Sequence, residues 1–532
     1  MIIEAIRAGR TTLGIELGST RIKACLVSAE DPGVVIGVGS HAWENRLDDG
    51  VWTYALADVW QGIQDAYADL VADVKQRYGV KLERVGALGV SAMMHGYLAF
   101  DEAAELLVPF RTWRNTNTGT AAAELTEIFG ANIPLRWSIA HLHQAVQDDE
   151  THLASIRHLT TLAGYVHWRL SGRFVLGVGD ASGMFPIDAA TGRYDAALLE
   201  QYDLRFAGRL PVGSVAELLP AVLAAGDIAG ELTEAGAQLL DPTGGLRAGS
   251  VLCPPEGDAG TGMVATNAVA PRTGNVSVGT SIFAMVVLDR PLQHAHAELD
   301  IVSTPAGDPV AMVHCNNGAS ELAAWAQLFG RFADAAGHRL DDDIVFETLL
   351  HEALAGEADA GGLLAYNHLA GEPVAGLTEG RPLFVRPPGS RLDLANFMRA
   401  QVYGAFGTLA LGMSVLDAEG VALDRMFAHG GMFRTAGVAQ RFLAGALNTP
   451  VSVGDTASEG GAWGVAVLAA YALHSRQAGD GISLTAYLAD RVFAGATAVT
   501  ADPDPADVVG FTIYLDRYRA GLAVEAAAVL HL

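Results

Sequence analysis

The chain has 532 residues, of which half are hydrophobic and 18% charged, more than one ordinary core accommodates, so two large domains are expected. Its 34 Lys and Arg stand against 60 Asp and Glu, a formal net charge of −26 that argues against nucleic acid or an anionic membrane as partner. No apolar run approaches the roughly 18 residues of a membrane helix. No secretory leader is evident after Met1-Ile2-Ile3-Glu4. Cys25, Cys253 and Cys315 lie far apart in apolar segments, as buried thiols of a reducing cytoplasm do. The expectation is a soluble cytoplasmic protein.

In chain order, residues 13–18 and 22–28 read as paired strands around Gly18-Ser19-Thr20, with 34–40 as a third strand. Amides in such a small-residue turn can surround phosphate oxygens, and the neighbouring Glu16 carboxylate suits a hydrated Mg²⁺. An ordinary Gly-Ser hairpin is the plainer alternative. Residues 57–78 carry apolar side chains at helical spacing. A short buried strand, 85–90, ends at Ser91-Ala92-Met93-Met94-His95-Gly96, the kind of strand end where ligands collect in open α/β sheets. A polar section with Thr112-Trp113-Arg114-Asn115 follows, then a strand and Gly/Asp-rich turn over 174–192 and an Ala-rich region over 220–240. Pro254-Pro255-Glu256-Gly257-Asp258-Ala259-Gly260-Thr261-Gly262 suits a hinge or site loop.

Residues 274–287 repeat the opening layout of strand, Gly279-Thr280-Ser281 turn and strand, as a duplicated unit would. Helices are expected over 322–335, 342–355 and 392–416. A strand near 425–428 runs into His429-Gly430-Gly431, followed by a helix over 436–447, a strand over 451–453 and a small-residue helix over 460–471.

Five segments in order, 14–23, 91–96, 112–118, 256–262 with 279–281, and 429–431 with Glu459 to Ala466, resemble the FGGY family of carbohydrate kinases. Within it the likeness is to xylulokinase-like pentulose kinases, echoed by Met94-His95-Gly96 and Trp113-Arg114-Asn115. The resemblance implies an α/β fold of two ribonuclease-H-like domains of the actin, Hsp70 and sugar kinase superfamily around a central cleft. Residues 1–265 would form the sugar-binding domain and 266–532 the ATP-binding domain. It implies a carbohydrate kinase, a phosphotransferase with an alcohol acceptor, that uses MgATP to phosphorylate a primary hydroxyl of a ketopentose such as xylulose; its members are often dimers.

By the same resemblance Asp258 is the general base, although Asp before Ala-Gly-Thr-Gly also reads as a helix cap. Met94, His95, Trp113, Asn115 and Asp258 would bind the sugar. Gly18, Ser19, Thr20, Gly279, Thr280 and Ser281 would hold the phosphates of ATP, and Gly430 and Gly431 its adenosine. Glu16 stands where the family usually has aspartate, so its contact with Mg²⁺ is expected through water. Met93 and Asn115 replace the usual glutamine and aspartate, which bears on which sugar is taken: ribulose, gluconate or a polyol are alternatives. An actin-fold ATP-binding regulator without sugar turnover is the reading from another class.

Overall fold

The computed structural model describes residues 2–435, 437–454 and 460–532, and the chain divides into two compact units. The first comprises Met1–Ala270, Ile301–Val310 and Thr456–Ala496; the second comprises Pro271–Asp300, Ala311–Asp455 and Thr497–Leu532.

In the first unit, β1 (Thr11–Leu17), β2 (Arg21–Ser28) and β3 (Val35–Ala42) form an antiparallel meander, since their β-branched and apolar residues pair in continuous register. β4 (Ala87–Ala92) joins β1 in parallel. The edge is completed by β5 (Gly230–Glu231) and β6 (Val251–Leu252), giving the order β3-β2-β1-β4-β6-β5. Pro254 and Pro255 interrupt the last parallel strand, and the chain rejoins β4 as β7 (Glu256–Gly257), with Glu256 opposite Ser91 and Gly257 opposite Ala92.

Successive residues of a strand face opposite sides, and the two sides of this sheet are covered differently. Helix α1 (Leu56–Tyr78), ended by Gly79 in the left-handed conformation, packs its Val59, Ile63, Ala66, Leu70 and Val74 stripe on one side. The other side takes α4 (Gly461–Ala478), drawn from near the far end of the chain. Its fit depends on absent side chains: a Cβ on Gly14 would lie 2.0 Å from the Ala462 carbonyl oxygen, and one on Gly464 2.1 Å from that of Thr261. Thr12 Oγ1 donates to the Ala466 carbonyl across the same contact at 2.9 Å.

The second unit repeats the scheme. β8 (Thr273–Val278) and β9 (Ile282–Val287) are an antiparallel hairpin, β11 (Arg425–Gly430) joins β8 in parallel, and β12 (Val451–Gly454) joins β11 in parallel. With β10 (Pro309–Cys315) and β13 (Ala498–Ala501) the order is β10-β9-β8-β11-β12-β13. Both units therefore share the spatial order third, second, first, fourth strand. The second core is built on α3 (Leu394–Ala418), which is apolar nearly all round and buried along most of its length.

Among the described residues no helix is long and apolar enough to cross a membrane. All three cysteines are buried. The helix expected from 436 starts at Val438, and that expected from 460 runs on to Ala478; Glu459 lies outside the described residues.

Candidate active site

In the first hairpin the Gly18 N–H closes on the Arg21 carbonyl at 3.0 Å. The carbonyl side of this turn is occupied: Trp43 Nε1 donates to Gly18 O at 2.7 Å, the Tyr54 hydroxyl to Ser19 O at 2.6 Å, and the Trp43 amide to Thr20 O at 3.2 Å. The Trp43 and Tyr54 rings stack with centroids 4.1 Å apart. Ser19 and Thr20 are left exposed on a turn whose acceptors are already paired. Such a turn presents its donors, as an anion requires. Neither aromatic was singled out from the sequence.

The second hairpin is held by the same logic with a tighter turn. Gly279 N–H donates to Ser281 O at 3.0 Å, Gly318 N–H to Thr280 O at 2.6 Å and Ala319 N–H to Gly279 O at 2.8 Å. Gly279 and Thr280 are exposed.

Glu16, at the end of β1, accepts the Ala462 N–H through Oε2 at 3.3 Å. Its carboxylate thus sits at the N-terminus of α4, where the helix dipole favours an anion.

Asp258 is the first residue of α2 (Asp258–Ala265); the cap itself is Gly257, so the cap reading of Asp258 gives way to another use of its side chain. Asp258 Oδ1 accepts the Met94 N–H at 3.1 Å, which ties it to the loop beyond β4. The residue keeps partial solvent access while its carboxyl lies deep among protein atoms, and that desolvation holds its pKa above the ordinary carboxylate value.

Two further acids surround it. Asp180, in the short helix Val178–Ala181, is fully buried; its Oδ2 accepts from Thr161 Oγ1 at 2.6 Å, while its Oδ1 has no hydrogen-bond partner among the described residues. Glu256 is 1% exposed and accepts the amides of Gly179 and Asp180 at 3.4 and 2.9 Å. Burial pushes Asp180 up to about 7, with Asp258 adding repulsion, and Glu256 up to about 8, with Asp180 adding to it. Gly177 and Gly179 make room: a Cβ on either would lie 2.1 and 2.4 Å from the Glu256 carboxylate oxygens. The alternate glycines of Gly177-Val178-Gly179-Asp180 were the sequence signal for this close approach. Thr161 carried none.

Because Glu256 titrates near 4.5 when unfolded and near 8 when folded, the folded state binds more protons between those values. Its contribution to stability is full below pH 4.5 and is lost as pH rises through about 8. Relative to Glu256→Gln, the natural chain should therefore lose melting temperature steadily from pH 5 to 8 and hold a constant offset beyond. A difference that does not change with pH would mean that Glu256 is ionised throughout.

His95 adopts φ +72° and Gly96 φ +98°, so the chain reverses sharply after β4, in a conformation unusual for a residue bearing a Cβ. The His95 ring lies over Gly183, with Nδ1 3.3 Å from its carbonyl oxygen, and a Cβ on Gly183 would meet that nitrogen at 2.5 Å. Met94, His95 and Asp258 are thus brought together with the Asp180 turn.

Trp113 is partly buried against the first core. Asn115 is engaged at both ends of its amide: Oδ1 accepts the Trp52 N–H at 2.9 Å and Nδ2 donates to Trp52 O and Thr112 O at 2.8 and 3.0 Å. Arg114 lays its guanidinium 3.6 Å from the centre of the Trp52 ring, rather than on Asn115.

Gly430 ends β11 at φ +116°, and a Cβ there would lie 2.2 Å from Val278 O. Gly431 is exposed with open space at its Cβ position.

Two units of the same α/β order, each carrying a small-residue hairpin at the end of its first strand, define the sugar kinase, Hsp70 and actin class of fold. Residues 11–244 match the FGGY family of carbohydrate kinases, N-terminal domain, and residues 274–473 its C-terminal domain; the chain belongs to that family and is a carbohydrate kinase. It is 23% identical to the xylulose kinase of Haemophilus influenzae over 432 residues, 79% of this chain and 82% of that protein. The xylulose kinase structure from Rhodospirillum rubrum superposes with a TM-score of 0.77 at 21% identity, covering 97% of this chain and 99% of that one. The gluconate kinase structure from Lactobacillus acidophilus does so with a TM-score of 0.76 at 18% identity, over the same shares.

Proposed function

We propose that this enzyme transfers the γ-phosphoryl group of ATP to a primary hydroxyl of a ketopentose of the xylulose kind, with Asp258 as general base. The observation that carries this reading is the Asp258 carboxylate, fixed by the Met94 amide and made more basic by burial. A hydroxyl placed against it gives up its proton as its oxygen bonds to the terminal phosphorus, and the bond from that phosphorus to ADP breaks. The sugar is held by the first unit, with His95 hydrogen-bonding a hydroxyl, Met94 and Trp113 covering carbon faces, and Asn115 contributing to the pocket while anchoring the Trp52 segment. The amides and hydroxyls of Ser19, Thr20, Thr280 and Ser281 receive the phosphates, and Gly18 and Gly279, whose own amides close the two turns, let the phosphates approach without a Cβ in the way.

Glu16 offers the hard carboxylate oxygens that Mg²⁺ prefers, through water, and the ion would neutralise charge on the phosphates. ATP as donor and three buried cysteines far apart in the sequence suit a cytoplasmic setting.

Coupled ADP release over xylulose, ribulose, gluconate and a polyol tests the reading. The fastest turnover should be with xylulose. A best rate with gluconate would move the substrate class, and no rate above ATP alone would end the proposal. For the adenosine position, Gly431→Val should raise KM for ATP by about tenfold or more at unchanged melting temperature. Gly430→Ala should instead destabilise the protein, by about 1–3 kcal/mol for the backbone conformation alone.

A further inference from the structure

Between β9 and β10 the sequence reads Asp289-Arg290-Pro291-Leu292-Gln293-His294-Ala295-His296, a loop that bends at Gln293 and His294 and brings its two imidazoles toward one point. They meet Glu419, the residue that ends α3, whose side chain is 4% exposed. His294 Nδ1 and His296 Nε2 both lie against the same carboxylate oxygen, Oε1, at 3.0 and 2.7 Å. The other oxygen accepts the Gln293 N–H at 2.8 Å, which fixes the carboxylate plane. Arg290 donates to the Glu419 and Gly420 carbonyls at 2.8 and 3.3 Å, anchoring the segment to the helix end. One ligand atom from each of the three residues falls within 4.8 Å of the others.

We propose that His294, His296 and Glu419 form a binding site for a zinc-type divalent cation, separate from the substrate site and confined to the second unit. With tetrahedral zinc bonds of about 2.0–2.2 Å, neighbouring ligand atoms stand about 3.3–3.6 Å apart, so each imidazole, now 3.0 and 2.7 Å from Oε1, admits the ion by moving outward less than about 1 Å. Two nitrogens and one carboxylate oxygen, with His294 largely exposed, leave an outward position for water. Imidazole donors select zinc and its neighbours over Mg²⁺, which takes oxygen ligands, so the cation of the kinase reaction does not compete. The Gln293 amide plays the orienting part that outer partners play at metal centres. A cation here also faces the C-terminal end of α3, where the helix dipole favours positive charge. When bound it clips the segment after β9 to that helix.

The test is a titration of the full-length chain with zinc chloride against a chromophoric zinc indicator, in excess Mg²⁺, with melting temperature followed in parallel. The natural chain should bind in the micromolar range and melt higher with zinc. His294→Ala/His296→Ala should bind one zinc fewer per chain, and His296→Ala alone should weaken that site by about tenfold or more, since losing even an outer-shell partner does as much. Glu419→Gln, which keeps an acceptor for Gln293, gives the same readout should the double variant fold poorly by circular dichroism. Absence of micromolar binding by the natural chain, or an unchanged stoichiometry in these variants, would overturn the site.

Discussion

Asp258→Asn should lower sugar-dependent kcat by about 10²–10⁴, the range lost when a positioned general base is removed. The loss should appear with little change in KM for ATP, because Asp258 belongs to the first unit and the adenosine is assigned to the second. Stability should not suffer. The asparagine oxygen can still accept the Met94 amide, and a neutral side chain escapes the desolvation that raises the acid's pKa. A base must be ionised, so the natural enzyme should lose kcat on the acid side with a limb displaced upward from the ordinary carboxylate range. The residual activity of the variant should lack that limb. Near-normal turnover, or a pH profile that keeps its acid limb, would remove Asp258 from the role.

Gly464→Val is the second large effect. The new side chain would be driven into the Thr261 carbonyl, with Cβ at 2.1 Å, and Thr261 stands in the helix that Asp258 begins. Backbone on both sides of the contact leaves nothing that can rotate away, so the destabilisation should reach or exceed the 1–3 kcal/mol usual for overpacked cores. Thermal denaturation should show a fall of several degrees or more, with much of the protein insoluble on expression. Gly262→Ala is the internal comparison: it lies in the same short helix with open space at its Cβ position, and should melt close to the natural chain. Equal melting temperatures for the two variants would mean that α4 does not pack as closely as described.

The sequence announced some of this and concealed the rest for identifiable reasons. Both hairpins were legible because alternating apolar strands interrupted by Gly-Ser-Thr or Gly-Thr-Ser leave few other options; the strands fall at Thr11–Leu17 with Arg21–Ser28 and at Thr273–Val278 with Ile282–Val287. The family likeness rested on such local motifs and was met by matches over 11–244 and 274–473. Residues 220–240 read as Ala-rich helix or loop, yet they hold two short strands before the helix Glu234–Leu240, because pairing with distant strands overrides local propensity. Trp43 and Tyr54 belong to no recognisable motif, and their service to the turn at Gly18 depends on where β3 and the following segment return. The burial of Asp180 against Glu256 and the second use of Glu16, as an acceptor for the Ala462 amide, are equally matters of long-range placement.

The arrangement of α4 bears on how the protein comes into being. Thr12 and Ala466 are separated by 454 positions, yet one donates a hydrogen bond to the other. On a ribosome adding about 5–20 residues per second, β1 emerges roughly 20–90 seconds before the helix that covers it. During that interval the bare face of the first sheet, with Gly14 and Gly89 exposing backbone where α4 will lie, has no permanent cover. A nascent chain released at residue 270 should therefore bind chaperones or aggregate, and adding a separately made fragment spanning 460–496 should restore its solubility.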